Sequence, residues 1–304
     1  MARKSRVWTG VLFGLLLIVP SFVSAGAARI VVVRSSALSV YDDGVRGFQD
    51  AMAGSNASMS METLPEDSSV AQALLDRIDG EKPSLVVAFG AKAARLARAR
   101  FKSVPVLFCM VIDPGEDLSY GGISMELSLA DYVDGIRRSL PGVKKVGLIF
   151  NPARSSSLTQ EAKALESKGL MVTVTATSAS EVDGALDNVK RRAECLLFMP
   201  DPALFPPQAF GAFLNQAIQK GVPVVGLSPS FVKAGAVAAF FADFRNNGEL
   251  AAQAASKVLG GESVRNIPVQ LPTKVGASFN LAVARHLNLA VDGDAVKNAI
   301  DVVR

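Results

Sequence analysis

The sequence predicts an α/β fold of two doubly wound lobes that are joined by a hinge. Each lobe is a parallel sheet covered by helices. Short aliphatic runs alternate with longer segments of helical period from residue 29 onward, a pattern typical of parallel sheets. The alternation occurs in two series of similar size. With 304 residues, 49% of them hydrophobic and 20% charged, the chain can bury two cores and is unlike a disordered protein.

The first series lies between residues 29 and 111. Continuous apolar runs predict buried strands at 29–33, 85–89 and 105–111. Helices are predicted from apolar residues that share one face. These are Val45, Phe48 and Met52, then Val70, Leu74 and Ile78, then the segment 91–100.

The second series begins at Ser128, which has Asp131 three residues later, as in a helix capping box. Strands are predicted at 146–150, 171–175, 195–199 and 222–226, separated by segments with helical spacing of apolar residues. No low-complexity linker separates the two series. We therefore expect a hinge of short crossings, near Gly121-Gly122 and Asp243.

The first 25 residues have the pattern of a secretory signal peptide. Three basic residues precede the apolar run 7–19, Pro20 ends it, and small residues at 23 and 25 form a cleavage site after Ala25. An uncleaved membrane anchor is the alternative, although the run is short for a spanning helix. The leader holds three of the 32 basic residues, so 29 basic and 28 acidic residues follow it. We expect an exported protein that does not bind nucleic acid.

Common catalytic and metal-binding patterns are missing from the sequence. His286 is the single histidine, and Cys109 and Cys195 fall inside predicted strands of different lobes. We expect both cysteines to be buried core residues without a disulfide bond. Neither a phosphate-binding glycine loop nor a nucleophile elbow is present. The sequence therefore predicts no catalytic residues, no cofactor and no metal.

Candidate ligand contacts lie in the loops that follow the strands, because ligands of open parallel sheets bind beyond the carboxyl ends of the strands. They are Ser35, Ser36, Gly90, Ala91, Asp113, Asn151, Ser155, Ser156, Asp201, Ser228 and Asp243.

Two chemical types stand out among these candidates. Helix starts at Gly90 and at the serines 155–157 could bind an anion through free N–H groups. Asp113, Asp201 and Asp243 could meet a cationic group, so together the loops suit a zwitterion such as an amino acid. Each position also has an ordinary structural interpretation as a helix cap or turn residue.

Several segments together resemble one protein family. They are "LVVAFGAKAARLA" with "VPVLFCMVIDP", "LPGVKKVGLIFNPARSSS", "GVPVVGLSPSFVKAGAVAAFFADFRNNGELAAQAASKVLGGE" and "IPVQLPTKVGASFNLAVARHLNL". The chain resembles substrate-binding proteins of ABC transporters, in the tryptophan- and tyrosine-type group with the type I periplasmic-binding fold. The segments cover most of the chain after the leader.

The resemblance implies a monomeric protein that closes two lobes over a small ligand and delivers it to a membrane permease. It implies a first lobe of 26–123 plus 243–265, and a second of 124–242 plus 266–304. It supports the candidates at Gly90, Ala91, Asp113, Asn151, Ser155, Ser156, Asp201 and Asp243.

Two departures from the family pattern leave other functions open. Pro202 follows Asp201 where an asparagine is usual, and Phe244 replaces a tyrosine. A periplasmic sensor or interaction subunit with the same fold, which would contact a membrane sensor and not a permease, is the alternative. An enzyme that uses the carboxylates between the lobes is disfavoured by the missing catalytic motifs.

Overall fold

The computed structural model describes residues 27–154 and 156–304, with only the backbone described at 156, 157 and 207. The predicted leader lies outside the described residues. The structure confirms the α/β fold with two lobes, each built on its own sheet.

Among the described residues, the first lobe contains six strands and four long helices. The strands are β1 (Ala28–Arg34), β2 (Ala57–Thr63), β3 (Leu85–Phe89), β4 (Val106–Val111), β5 (Gly122–Ser124) and β11 (Val269–Gln270). The helices are α1 (Ser39–Ala51), α2 (Ser68–Gly80), α3 (Ala91–Arg100) and α9 (Phe244–Leu259).

The second lobe contains the remaining strands and helices of the described chain. Its strands are β6 (Val146–Phe150), β7 (Met171–Thr175), β8 (Cys195–Leu197), β9 (Val224–Gly226), β10 (Ala238–Ala242), β12 (Val275–Asn280) and β13 (Asp301–Val303). Its helices are α4 (Leu129–Ser139), α5 (Ser156–Ser167), α6 (Val182–Arg192), α7 (Phe210–Gln219), α8 (Pro229–Ala234), α10 (Leu281–His286) and α11 (Gly293–Lys297).

The sheet of the first lobe has the strand order β11-β5-β4-β3-β1-β2. All its strand pairs are parallel, so the carboxyl ends of the strands share one edge. Strands β1, β3 and β4 form the centre of this sheet, and their residues 30–33, 85–89 and 106–111 are apolar and buried. Sequence reasoning missed β2, because its residues Ala57–Thr63 lack the continuous apolar run of a buried strand.

The sheet of the second lobe has the order β13-β12-β10-β9-β8-β6-β7. Its strands are parallel except for the β10–β12 pair, which is antiparallel. The residues that follow α11 form β13, which pairs with β12. Ser128 caps α4 in the predicted capping box with Asp131. Both faces of each sheet are covered by helices, and the buried apolar residues form separate clusters on the two faces.

Within 27–154 and 156–304, three short crossings connect the lobes, between β5 and α4, between β10 and α9, and between β11 and β12. The first begins after Ser124, slightly later than the predicted hinge at Gly121-Gly122. The third corrects the expected start of the final second-lobe segment at residue 266. Val269 and Gln270 pair with Gly122 and Ile123 in the first sheet, so the chain crosses only after residue 270.

Helix α9, which follows the second crossing, packs on the first lobe against α1. The two helices approach so closely that a Cβ atom at Gly248 would lie 1.9 Å from the backbone oxygen of Gly44. A Cβ atom at Gly47 would lie 2.1 Å from the backbone oxygen of Arg245. The glycines therefore permit a contact between helix backbones that larger residues would prevent.

Candidate ligand-binding site

On the first lobe, the predicted residues Ser35 and Gly90 lie together at the ends of β1 and β3. Gly90 has φ 88° and begins α3 without a capping side chain. The Ser35 hydroxyl oxygen supplies the cap by accepting a hydrogen bond from the Ala93 N–H at 2.9 Å. The Tyr41 hydroxyl lies beside Gly90, where a Cβ atom would be only 2.3 Å away from it. This helix start is thus already capped by Ser35 and flanked by Tyr41.

Two large apolar side chains are exposed at the same edge of the first sheet. Leu38 follows β1 and is 60% exposed, and Ile112 follows β4 and is 67% exposed. Because β3 lies between β1 and β4, these side chains flank the turn at Gly90-Ala91. Ser36 and Ala91 are partly exposed there. Sequence reasoning did not select Leu38 or Ile112, since an exposed aliphatic residue in a loop has no distinctive pattern.

Carboxyl groups collect where the first lobe meets the crossing after β5. Asp113 is exposed, has φ 47°, and donates its N–H to Glu126 Oε1 at 3.2 Å. Partial burial raises the pKa of Glu126, and the neighbouring Asp113 and Glu161 carboxylates raise it further, against the opposing effect of the Asp113 hydrogen bond. Glu161 accepts a hydrogen bond from the Leu129 N–H at 2.8 Å. This part of the site favours a positively charged group.

On the second lobe, an ion pair joins two of the predicted loops. Arg154 Nε lies 3.3 Å from Asp201 Oδ1, and the Arg154 side chain is 54% exposed. Asn151 Oδ1 accepts a hydrogen bond from the Ala153 N–H at 3.0 Å, which shapes the turn that carries Arg154. The pairing of Asp201 with an arginine was not predicted. Arg154 escaped sequence reasoning because a single arginine in a loop is usually a solvated surface residue.

The remaining predicted residues lie at helix starts or fall outside the described residues. Ser228 precedes α8, with its hydroxyl 2.7 Å from that of Ser230. Asp243 caps α9 by accepting a hydrogen bond from the Asn246 N–H at 3.0 Å. Ser155 lies outside the described residues, and Ser156 begins α5 with its side chain undescribed.

Both cysteines are buried and free, as predicted, one in each lobe. Burial raises the pKa of the Cys109 and Cys195 thiols, so neither is a reactive thiolate. Within 27–154 and 156–304, no three His, Cys, Asp or Glu residues are grouped to hold a metal ion. In the same ranges, no helix is long and apolar enough to span a bilayer.

Known proteins resemble this chain over most of its length. The family model of ABC transporter substrate binding proteins matches residues 29–303. A tyrosine-binding protein of Clostridioides difficile strain R20291 is 24% identical over 238 residues, which cover 74% of this chain and 68% of that protein.

Two solved structures share the fold over most of the chain. One is the ligand-free, open structure of a Clostridium difficile substrate binding protein with adhesive properties, with TM-score 0.73 and 20% identity over 91% of this chain and 99% of that one. The other is a domain from Streptococcus pneumonia in complex with L-Trp, with TM-score 0.57 and 19% identity over the same shares of the two chains.

Proposed function

Since the chain belongs to the family of ABC transporter substrate binding proteins, we propose that it binds an amino acid with a large apolar side chain. The observation that supports this most directly is a contrast between the two lobes. The strand ends of the first lobe expose the aliphatic Leu38 and Ile112, while those of the second carry the charged Arg154 and Asp201. A zwitterion with a large apolar side chain can contact both surfaces, the apolar one with its side chain and the charged one with its charged groups.

The apolar part of the ligand would cover the first lobe. Leu38 and Ile112 flank the Gly90-Ala91 turn, and Tyr41 lies beside it. Burial of this surface would contribute about 25 cal/mol for each Å² removed from water. The relatives named for tyrosine and L-Trp bind ligands of this amphiphilic type.

The charged groups of the ligand would be shared between the second lobe and the hinge. The exposed guanidinium of Arg154 can pair with an α-carboxylate, to which arginine donates in a fork. The ammonium group would face the carboxyl groups of Asp113 and Glu126 near the first crossing. Asp201 would hold the Arg154 side chain in place.

Isothermal titration calorimetry of the purified chain tests this proposal. The panel contains L-tyrosine, L-tryptophan, L-phenylalanine, L-leucine, L-alanine and the amide of the best ligand, which lacks the carboxylate. We expect one or more of the large apolar amino acids to bind, and the amide and alanine to bind at least about tenfold more weakly. Equal affinity for alanine would contradict the apolar contact.

Matched variants locate the ligand. Arg154→Gln should weaken binding of the best ligand at least about tenfold but leave affinity for its amide nearly unchanged, because the amide has no carboxylate. Arg191→Gln, at the far end of α6 with its side chain bonded to Asn188, is the control and should not change affinity. Ile112→Ser should weaken the binding of large ligands more than that of alanine, whereas Ile300→Ser, at another exposed isoleucine, should not.

We also propose that the protein is exported after cleavage near Ala25 and supplies its ligand to an ABC permease. Uptake of the radiolabelled ligand by intact cells, with and without this gene, tests delivery. Loss of uptake supports the transport role. If cells without the gene take up the ligand as fast as cells with it, although the purified protein binds the ligand, the sensor alternative is favoured.

A further inference from the structure

The outer edge of the first sheet is a long strand with few of the features that usually protect sheet edges. Strand β2 pairs with β1 along all seven residues, Ala57 to Thr63, in an uninterrupted register. It contains no proline, lysine or bulge, and its one charged residue, Glu62, is held by Arg77 at 2.6 Å. The other sheet edges are shorter, since β7 has five residues, β13 three and β11 two. Such an edge is a template for another strand.

The hydrogen bonds to β1 reveal which backbone groups of β2 point outward. Ala28 N–H bonds to the Asn56 oxygen, and Leu64 N–H bonds to the Arg34 oxygen. In a parallel ladder with this register, the even-numbered residues of β2 therefore bond to β1. The N–H and C=O groups of Ala57, Met59, Met61 and Thr63 point away from the sheet, at the edge where the sheet ends.

The outward groups match those of a second β2 strand that runs antiparallel and is centred on Ser60. In this register, Met59 lies opposite Met61 of the second copy, and Ala57 lies opposite its Thr63. All four outward-facing residues would then form hydrogen-bonded pairs. Glu62 would face Ser58 of the second copy, so no like charges oppose each other.

The side chains of β2 also fit a two-fold contact. Met59 is partly buried and packs on the core beneath α1, whereas Met61, on the same face of the strand, is 47% exposed. Antiparallel pairing would bring Met59 and Met61 of both copies together and extend this core across the interface. Methionine adapts well to such a contact because its side chain is flexible and polarizable.

From the strand edge and its self-complementary register, we infer that two copies of this chain associate through β2, joining their first-lobe sheets into one continuous sheet. The association is independent of the proposed ligand, whose contacts lie at the carboxyl ends of the strands. It replaces the expectation of a monomer. Because one strand pair buries little area compared with stable interfaces, the dimer should dissociate on dilution.

Site-directed disulfide formation tests both the contact and its register. In the proposed pairing, Ser60 faces itself across the two-fold axis as a non-hydrogen-bonded pair, with Cα atoms about 4.5 Å apart. A Ser60→Cys variant should therefore form a disulfide-linked dimer under mild oxidation. In the matched Ser58→Cys variant, the introduced cysteines would be about 13 Å apart and should not link. The native cysteines are buried and do not compete.

Sedimentation equilibrium of the full chain provides a measurement without new cysteines. As the protein concentration increases, the average mass should rise from that of one chain toward that of two chains. Met61→Lys should abolish this rise. The control Ile300→Lys, which adds the same charge on the second lobe, should leave the rise unchanged. A single-chain mass at every concentration would overturn the inference. So would equal linkage of Ser58→Cys and Ser60→Cys, because the chains would then meet without the proposed register.

Discussion

At the scale of single residues, Glu126 links the stability of the protein to pH. Its raised pKa means that folding favours the protonated carboxyl. Stability should therefore fall as pH rises from the ordinary glutamate value of 4.5 through the higher value in the folded state, and then level off. Glu126→Gln removes this titration and should raise the thermal midpoint at pH 8 but not at pH 4.

The control for Glu126→Gln is Glu116→Gln, which neutralises an exposed carboxylate on the first lobe. Melting curves of the three proteins between pH 4 and pH 8 provide the comparison. If Glu126→Gln shifts the midpoint by the same amount at every pH, its carboxyl is not the group that titrates.

At the scale of secondary structure, the contact between α1 and α9 depends on backbone space at Gly248. Gly248→Ala would place a Cβ atom 1.9 Å from the Gly44 oxygen, and neither backbone can yield without separating the helices. We expect a loss of about 3 kcal/mol in the free energy of unfolding. Urea unfolding followed by circular dichroism measures it.

Another helical glycine, Gly184 in α6, is the matched control, because no atom beyond its chain neighbours and the backbone of its own helix lies within 4 Å of its Cβ position. Gly184→Ala should raise the free energy of unfolding by about 0.5–1 kcal/mol, since alanine loses less backbone entropy than glycine. A similar effect of both substitutions would show that the α1–α9 contact tolerates a side chain.

At the scale of the whole molecule, the three crossings should allow the lobes to close on the ligand. The second and third crossings are held together by the Asp243 N–H bond to the Lys274 oxygen at 3.0 Å and by Thr273 Oγ1 with Asn246 Oδ1 at 2.8 Å. These bonds support a hinge that bends as a unit. The radius of gyration from small-angle scattering should decrease when the ligand identified by calorimetry is added.

The same ligand should also stabilise the folded protein by mass action. At a concentration one hundred times its dissociation constant, we expect about 2.7 kcal/mol of added stability, visible as a higher thermal midpoint. At the same ligand concentration, the Arg154→Gln variant should show a smaller decrease in radius of gyration and a smaller gain in stability than the unmodified protein. Stabilisation without contraction would contradict closure but not binding.

The sequence alone determined the alternation of strands and helices and the buried positions of the central strands. Apolar runs such as Leu85–Phe89 report burial directly, because each residue contributes its own hydrophobic free energy. The family resemblance and the loop positions also predict that ligand contacts lie at the carboxyl ends of the strands. Strand β2 escaped this reasoning, because an edge strand needs no continuous apolar run.

Only the tertiary structure decided what the candidate side chains contact. The sequence predicts Ser35 as a ligand contact, yet its hydroxyl caps α3 by accepting a hydrogen bond from the N–H of Ala93, 58 residues later. Arg154 gains importance because folding brings Asp201 to it. Gly248 matters because α1 crosses it at close range. Each of these contacts joins residues distant in the chain. Local patterns cannot specify them, because pairing depends on how whole elements pack together.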